Sequence, residues 1–194
     1  GESPLLYPLA FHPPGWHVAT FAGGVALVLG LLPLHRIGGA AFAYNAAALL
    51  TFVVAYAGAY RLARQFVGPA PAAVAGALFA FWGLRWRALG GHLNVLIASA
   101  VLPWMAWSLE RAASAGRGAW RWLLLAGLLW GVSIYGTFYF IFIGGFLLLI
   151  WTAARTWPIH SRWRELLAGL LIPSAVAALL SLPGLLLFLW AQEA

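Results

Sequence analysis

FAYNAAALLTFVVAYAGAYR, residues 42–61, is the stretch of sequence that decides the fold. It has no charged side chain before Arg61. A helix of about 20 apolar residues is long enough to cross the hydrocarbon core of a bilayer, which is about 30 Å thick. The stretch therefore predicts a membrane-spanning helix that ends at a cationic boundary.

The composition of the whole chain agrees with this interpretation. Of its 194 residues, 64% are hydrophobic and 8% are charged, whereas soluble domains have roughly 25% charged residues. Too little polar material remains to cover the surface of a water-soluble globule. We therefore exclude a soluble domain and expect lipid to solvate much of the protein.

Further apolar segments follow along the chain. Those that predict spans are residues 71–84, 94–109, 122–136, 138–154 and 166–182, and a last apolar run ends at Trp190. Residues 18–34 are short and rich in glycine, which favours an interfacial or re-entrant helix. We predict an all-α fold, a polytopic transmembrane helix bundle with about six spans plus one interfacial or re-entrant helix. Residues 42–194 form the bundle, and residues 1–41 form a partial extracytoplasmic loop with that helix.

The arginines predict the orientation. All basic side chains apart from histidine are arginines, and the net charge is +7. Eight of them fall on one side if the spans alternate, namely Arg61, Arg64, Arg111, Arg117, Arg121, Arg155, Arg162 and Arg164. Arg36, Arg85 and Arg87 fall on the other side, so the first group is expected to be cytoplasmic and residues 35–41 form an outer loop. Because the arginines lie between apolar runs, nucleic acid is not expected as a partner.

Arg85 and Arg87 lie on the side where positive charge is disfavoured, and no carboxylate is near them in sequence. Guanidinium groups match phosphate oxygens in bidentate fashion, so the pair is a candidate phosphate clamp. The alternative is that both side chains snorkel to the headgroups, with Trp86 as an interfacial anchor.

His92 and Asn94 follow Gly90-Gly91, which is typical of a turn before a helix. We expect Asn94 to cap that helix. A helix N-terminus also favours an anion, so His92 and Asn94 are candidate ligands of the substrate or its lipid phosphate, and His92 is also a candidate general acid or base.

Tyr7, His12 and His17 lie in a proline-rich first loop. They are candidates for contact with a sugar or a lipid phosphate, and the alternative is ordinary hydrogen bonding within the loop. The chain has no Cys and no Asp, and Pro13 and Pro14 separate the two histidines, so no metal site is predicted. Elsewhere, Glu110 is expected to pair with Arg111.

Five short stretches together carry a resemblance to a known family. They are LLYPL (5–9), AYN (43–45), GAYRLAR (58–64), GHLN (91–94) and LPW (102–104). In this order and spacing, over about residues 4–112, they resemble polytopic membrane glycosyltransferases of the GT-C type.

The resemblance implies that a sugar moves from a polyprenyl-phosphate donor on the extracytoplasmic face of a multi-pass protein of a bacterial or archaeal plasma membrane. It also implies an acidic catalytic residue in an outer loop after a first span, upstream of Gly1. We therefore expect the chain to be a truncated, inactive fragment. Membrane lipid and the polyprenyl-phosphate-linked sugar are the expected partners, no cofactor is predicted, and a divalent metal requirement is left open.

Two alternatives remain at this point. One is a transporter or flippase-like protein, although internal repeats are not evident and the charged residues are expected at span ends. The other is a non-catalytic polytopic membrane protein that keeps the scaffold and has lost the chemistry.

Overall fold

The structure is a computed structural model that describes residues 6–7, 16–17, 22–89, 92–137, 139–157 and 159–193. Apart from one antiparallel pair of two-residue strands, β1 (Leu6–Tyr7) and β2 (Trp16–His17), the elements described are helices. The α-helices are α1 (Ala22–Ala63), α2 (Pro69–Ala80), α3 (Gly83–Ala88), α4 (Leu93–Ala100), α5 (Leu102–Ser114), α6 (Ala119–Gly136), α7 (Tyr139–Arg155) and α8 (Ile159–Glu193). A 3₁₀ turn, Gly116–Gly118, joins α5 to α6.

Helix α1 corrects one sequence prediction. Residues 35–41 do not form an outer loop, because two helical stretches meet within them at a kink, where Gly39 alone has a non-helical backbone. Gly39 has a φ of 77°, in the left-handed region that glycine adopts without a Cβ penalty. His35 and Arg36 favoured a loop in the sequence prediction, but both residues lie in the helical stretch that precedes the kink at Gly39.

Three helical stretches in the described part of the chain are long and apolar enough to cross a membrane. They are Gly30–Ala63, Leu93–Ser114 and Arg162–Leu186. Helix α7 is apolar but has 17 residues, and α2 has 12. These findings indicate a membrane protein by length and composition, but they do not reach the predicted six spans.

The outer faces of the helices are strongly apolar. Leu49, Phe142 and Leu179 are each about two-thirds exposed or more, and many other large hydrophobic side chains are exposed as well. In water this surface would be costly, whereas a bilayer solvates it. The same pattern therefore supports a membrane environment.

Helix α6 lies at the centre of the bundle and contacts α1, α4, α5, α7 and α8. Its buried side chains Leu123 and Trp130 pack in one core cluster with Met105 of α5 and Leu148 of α7. Small residues allow the close approach: a Cβ on Gly127 would lie 2.7 Å from the Pro173 carbonyl oxygen of α8. Packing of this kind is typical of membrane helices.

The two ends of the bundle differ. At one end, Asn94 near the start of α4 bonds the Gly136 carbonyl at the end of α6. At the other end, Glu110 of α5 forms a bidentate ion pair with Arg155 of α7, at 2.6 and 2.7 Å. Helix α6 has 18 residues, so these ends are about 27 Å apart at 1.5 Å per residue.

The ion pair also corrects the predicted pairing of Glu110 with Arg111. Arg111 instead stacks on the Trp122 ring, with its guanidinium carbon 5.2 Å from the ring centroid. Residues adjacent in a helix point in different directions, so a carboxylate finds its partner on a neighbouring helix rather than next to itself.

Candidate functional site

A cavity of about 400 Å³ lies between α1, α4 and α6. Its walls are mostly aliphatic, and its lining residues include Leu31, Leu50, Val54, Ile97 and Val132. Three polar side chains also line it, those of Thr51, Asn94 and Tyr135. A mainly apolar cavity with a few polar groups suits a ligand with a hydrocarbon part.

Asn94 lies at this cavity but does not cap α4 as predicted. His92 occupies the N-cap position, and Asn94 is the second residue of the helix. The Asn94 amide donates to the Gly136 carbonyl at 3.0 Å and thereby holds α4 against α6. The sequence located the helix start correctly to within two residues but could not reveal a partner 42 residues away.

The first turn of α4 has unused donors. His92 is exposed, and its side chain makes no capping bond. The first amides that bond back to the His92 carbonyl are those of Val95 and Leu96. The helix start is therefore a site of partial positive charge without a side-chain acceptor in the described part of the chain.

Arg85 is held inside the protein. Only 3% of it is exposed, and its guanidinium carbon lies 5.0 Å from the centroid of the Phe52 ring. Its Nε donates to the Ala80 carbonyl at 3.2 Å, which is at the end of α2. Its Nη2 donates to the carbonyl and the hydroxyl of Thr51 of α1. Its Nη1 donates to the Leu96 carbonyl and the Ser99 hydroxyl of α4.

These five bonds use all five N–H donors of a guanidinium. In this arrangement Arg85 joins α1, α2 and α4 and has no donor left for a ligand phosphate. It also does not snorkel, since it is buried. The charge that was expected at a span end lies instead beside Thr51, well inside the span Gly30–Ala63.

Arg87 has the opposite environment, although it is only two residues away. Its side chain is exposed, and no ion pair or hydrogen bond involves it among the described residues. The next residue, Ala88, accepts a 2.8 Å bond from the His92 amide, so the chain around Arg87 is folded back on the start of α4. The Tyr44 hydroxyl donates to the Leu89 carbonyl at 2.7 Å and thereby holds the end of α3 against α1.

The three predicted residues of the first loop are described only in part. Tyr7 pairs with Trp16, and Leu6 pairs with His17, in the short antiparallel ladder. The backbones of Tyr7 and His17 are thus neighbours, but their side chains lie outside the described residues, as does all of His12. Their predicted contact with a sugar or phosphate stays a prediction.

Sequence reasoning singled out Asn94 but not the cavity residues of α1. Ala47, Leu50, Thr51 and Val54 follow the i, i+3, i+4, i+7 spacing of one helix face. That spacing shows that they share a face, but it does not show that a cavity rather than a packed helix lies against it.

Comparison with known proteins leaves the family open, since no family model matches the chain and no similar curated protein or solved structure was found. No cluster of three metal-ligating side chains occurs in the part of the chain that the structure describes.

Proposed function

We propose that the chain forms part of a polytopic membrane glycosyltransferase, which moves a sugar from a polyprenyl-phosphate donor on the extracytoplasmic face. One juxtaposition carries the proposal. The exposed cation Arg87 and the uncapped start of α4 lie next to each other in the chain, and Asn94 of that same helix start lines the apolar cavity.

A polyprenyl phosphate has a long hydrocarbon chain and an anionic head, and the site offers a complement to each part. The cavity of about 400 Å³ suits part of the chain. Arg87, His92 and the free amides of α4 suit the phosphate. Since phosphate is the leaving group of such a transfer, positive charge fixed at this position stabilises the transition state.

The orientation of the bundle supports the same assignment. Arg117 and Arg121 lie at the start of α6, whereas Asn94 contacts its end. Helix α3 and the start of α4 are therefore at the arginine-poor end, which the positive-inside rule makes extracytoplasmic. Glu110 and Glu165 lie at the opposite end, so the proposal assigns neither of them as the base that activates the acceptor hydroxyl.

A transporter or flippase-like protein is the second candidate, because Arg85 is buried within the bundle rather than at a span end. Buried ionisable groups are common in transporters.

A binding experiment tests the first proposal. The purified protein in lipid nanodiscs is titrated with a polyprenyl phosphate and with the matching polyprenol, and bound ligand is counted by native mass spectrometry. We expect the phosphate to bind about tenfold more tightly than the alcohol, since a hydrogen bond to a charged group is worth about 1.5–3 kcal/mol. Arg87→Gln should abolish that preference, whereas Arg121→Gln, at the other end, should preserve it.

The cavity is tested separately by filling it. Val132→Trp introduces a ring at the cavity wall, and Leu128→Trp one turn earlier on α6 does not line the cavity. The two positions are 47% and 44% exposed, so the changes are well matched. We expect only Val132→Trp to weaken binding of both the phosphate and the alcohol. If the two glutamine variants and the two tryptophan variants all bind the polyprenyl phosphate equally well, the proposed site does not bind this lipid.

Two activity assays in proteoliposomes, performed with the longer protein of which the proposal makes this chain a part, separate the candidates. Transfer or release of sugar from a polyprenyl-phosphate sugar supports the glycosyltransferase, and movement of a labelled lipid between leaflets without sugar release supports the flippase.

A further inference from the structure

A second apolar groove lies between α1, α2, α5 and α7. Its volume is about 500 Å³, and its lining includes Ala59 of α1, Phe66 in the turn after α1, Ala75 of α2, Ala106 of α5 and Leu147 of α7. All the residues that line it are apolar, and the one polar side-chain group among them is the indole N–H of Trp151. The proposed glycosyltransferase site does not use this groove.

One face of α7 runs from the floor of the groove to a cation. Ile143, Leu147 and Trp151 line the groove at intervals of four residues, and Arg155 follows at the next interval. Residues four apart lie on the same helix face, about 6 Å further along the axis at each step. The stripe is therefore hydrocarbon-like for two turns, amphipathic at Trp151 and cationic at the end.

Arg155 has donors that the protein does not use. Its Nε and one terminal nitrogen, Nη2, bind the two oxygens of Glu110. No bond to the other terminal nitrogen, Nη1, occurs among the described residues, and the side chain is 41% exposed. Its guanidinium carbon lies 5.4 Å from the centroid of the Phe66 ring, which places the charge at the mouth of the groove.

The surrounding end of the bundle is strongly cationic. It has eight arginines and two glutamates, Glu110 and Glu165, and thus a net charge of +6. A zwitterionic headgroup brings its own cation into this field, whereas an anionic headgroup does not. The charge therefore favours an anionic occupant over a zwitterionic one.

We propose that this groove holds one acyl chain of an anionic phospholipid of the arginine-rich leaflet, and that Arg155 Nη1 binds the lipid phosphate. Trp151 lies between the two parts of the ligand, at the depth of the ester groups. Its Nε1–H is buried without a partner in the described part of the chain. A lipid carbonyl oxygen supplies the missing acceptor when the ring turns toward the groove.

The experiment measures lipid retained by the purified protein after exchange into detergent with equal amounts of phosphatidylglycerol and phosphatidylcholine. Native mass spectrometry counts the bound lipids. We expect phosphatidylglycerol to be retained preferentially and Arg155→Gln to reduce its retention about tenfold, as loss of a charge-assisted hydrogen bond predicts.

Two controls distinguish the site from general charge and from misfolding. Arg117→Gln removes the same charge from the same end of the bundle, and should retain the lipid. Glu110→Gln breaks the same ion pair but leaves the guanidinium, and should also retain it. If either control loses as much lipid as Arg155→Gln, net charge or fold integrity explains the binding, and the proposal is wrong.

Filling the groove tests the acyl chain. Ala75→Trp places a ring in the groove, whereas Leu78→Trp on the same helix places it on the exposed outer face. We expect only Ala75→Trp to release phosphatidylglycerol, and we expect inorganic phosphate not to displace the lipid. Displacement by inorganic phosphate, together with full retention by Ala75→Trp, would show an anion site without a chain site and would overturn the proposal.

Discussion

Replacing Arg85 with Met should destabilise the bundle by about 3 kcal/mol. The guanidinium makes five hydrogen bonds to α1, α2 and α4. Hydrogen bonds between membrane helices are worth about 0.6 kcal/mol each on average, so five amount to about 3 kcal/mol. Methionine keeps an unbranched apolar stem that fills much of the same space, and the acceptors left behind are neutral, so no unpaired charge remains.

The measurement is reversible unfolding in mixed micelles with increasing SDS, followed by far-UV circular dichroism. Arg87→Met is the matched control, because Arg87 lies in the same short helix but is exposed. Its unfolding free energy should stay within about 0.5 kcal/mol of the parent protein. Arg85→Lys should lose nearly as much stability as Arg85→Met, since one ammonium group cannot reach acceptors on three helices at once.

Equal unfolding free energies for Arg85→Met and Arg87→Met would refute this reasoning, because they would show that the network adds no net stability. An Arg85→Lys protein as stable as the parent would show that a positive charge suffices there and that the forked geometry is irrelevant.

Three further predictions concern packing, pairing and orientation. Gly127→Ala should cost about 1–3 kcal/mol of unfolding free energy, because the added Cβ meets the α8 backbone; Gly118→Ala, which meets nothing within 4 Å, should cost almost none. A double-mutant cycle on Glu110 and Arg155 should give a coupling energy of roughly 1–2 kcal/mol, above the roughly 0.2–1 kcal/mol that is usual for exposed ion pairs. The reason is that the pair is bidentate and the Glu110 side chain is only 14% exposed. A coupling energy of zero would contradict this. The chain has no cysteine, so Gly118→Cys and Tyr139→Cys are clean labels, and a membrane-impermeant maleimide should reach them from opposite sides; labelling of both from one side would reverse the topology.

The helical class and the positions of most helices followed from the sequence, because long apolar runs with charged ends have few other solutions. The boundary between the predicted spans 122–136 and 138–154 is such a case, since α6 ends at Gly136 and α7 begins at Tyr139. The kinked helix at residues 35–41 did not follow, because a single glycine with positive φ joins two helical stretches where His35 and Arg36 favour a loop.

The candidate site was only partly accessible from the sequence. The distribution of arginines along the sequence identified Arg85 and Arg87 as unusual, but it predicted phosphate binding for both of them. Their separation into one buried and one exposed arginine depends on Thr51 and Ser99, which are 34 and 14 residues from Arg85. Spacing along a helix predicts neighbours on that helix, whereas contacts of this range are decided by how the helices pack.

The short length of α2 has a consequence for assembly. Its 12 residues extend over about 18 Å, so they cover little more than half of a hydrocarbon core. The last carbonyl oxygen of α2, that of Ala80, accepts a hydrogen bond from Arg85, and that same guanidinium is held by α1 and α4. We therefore expect newly synthesised α2 to become stable in the lipid only after the ribosome has delivered α4.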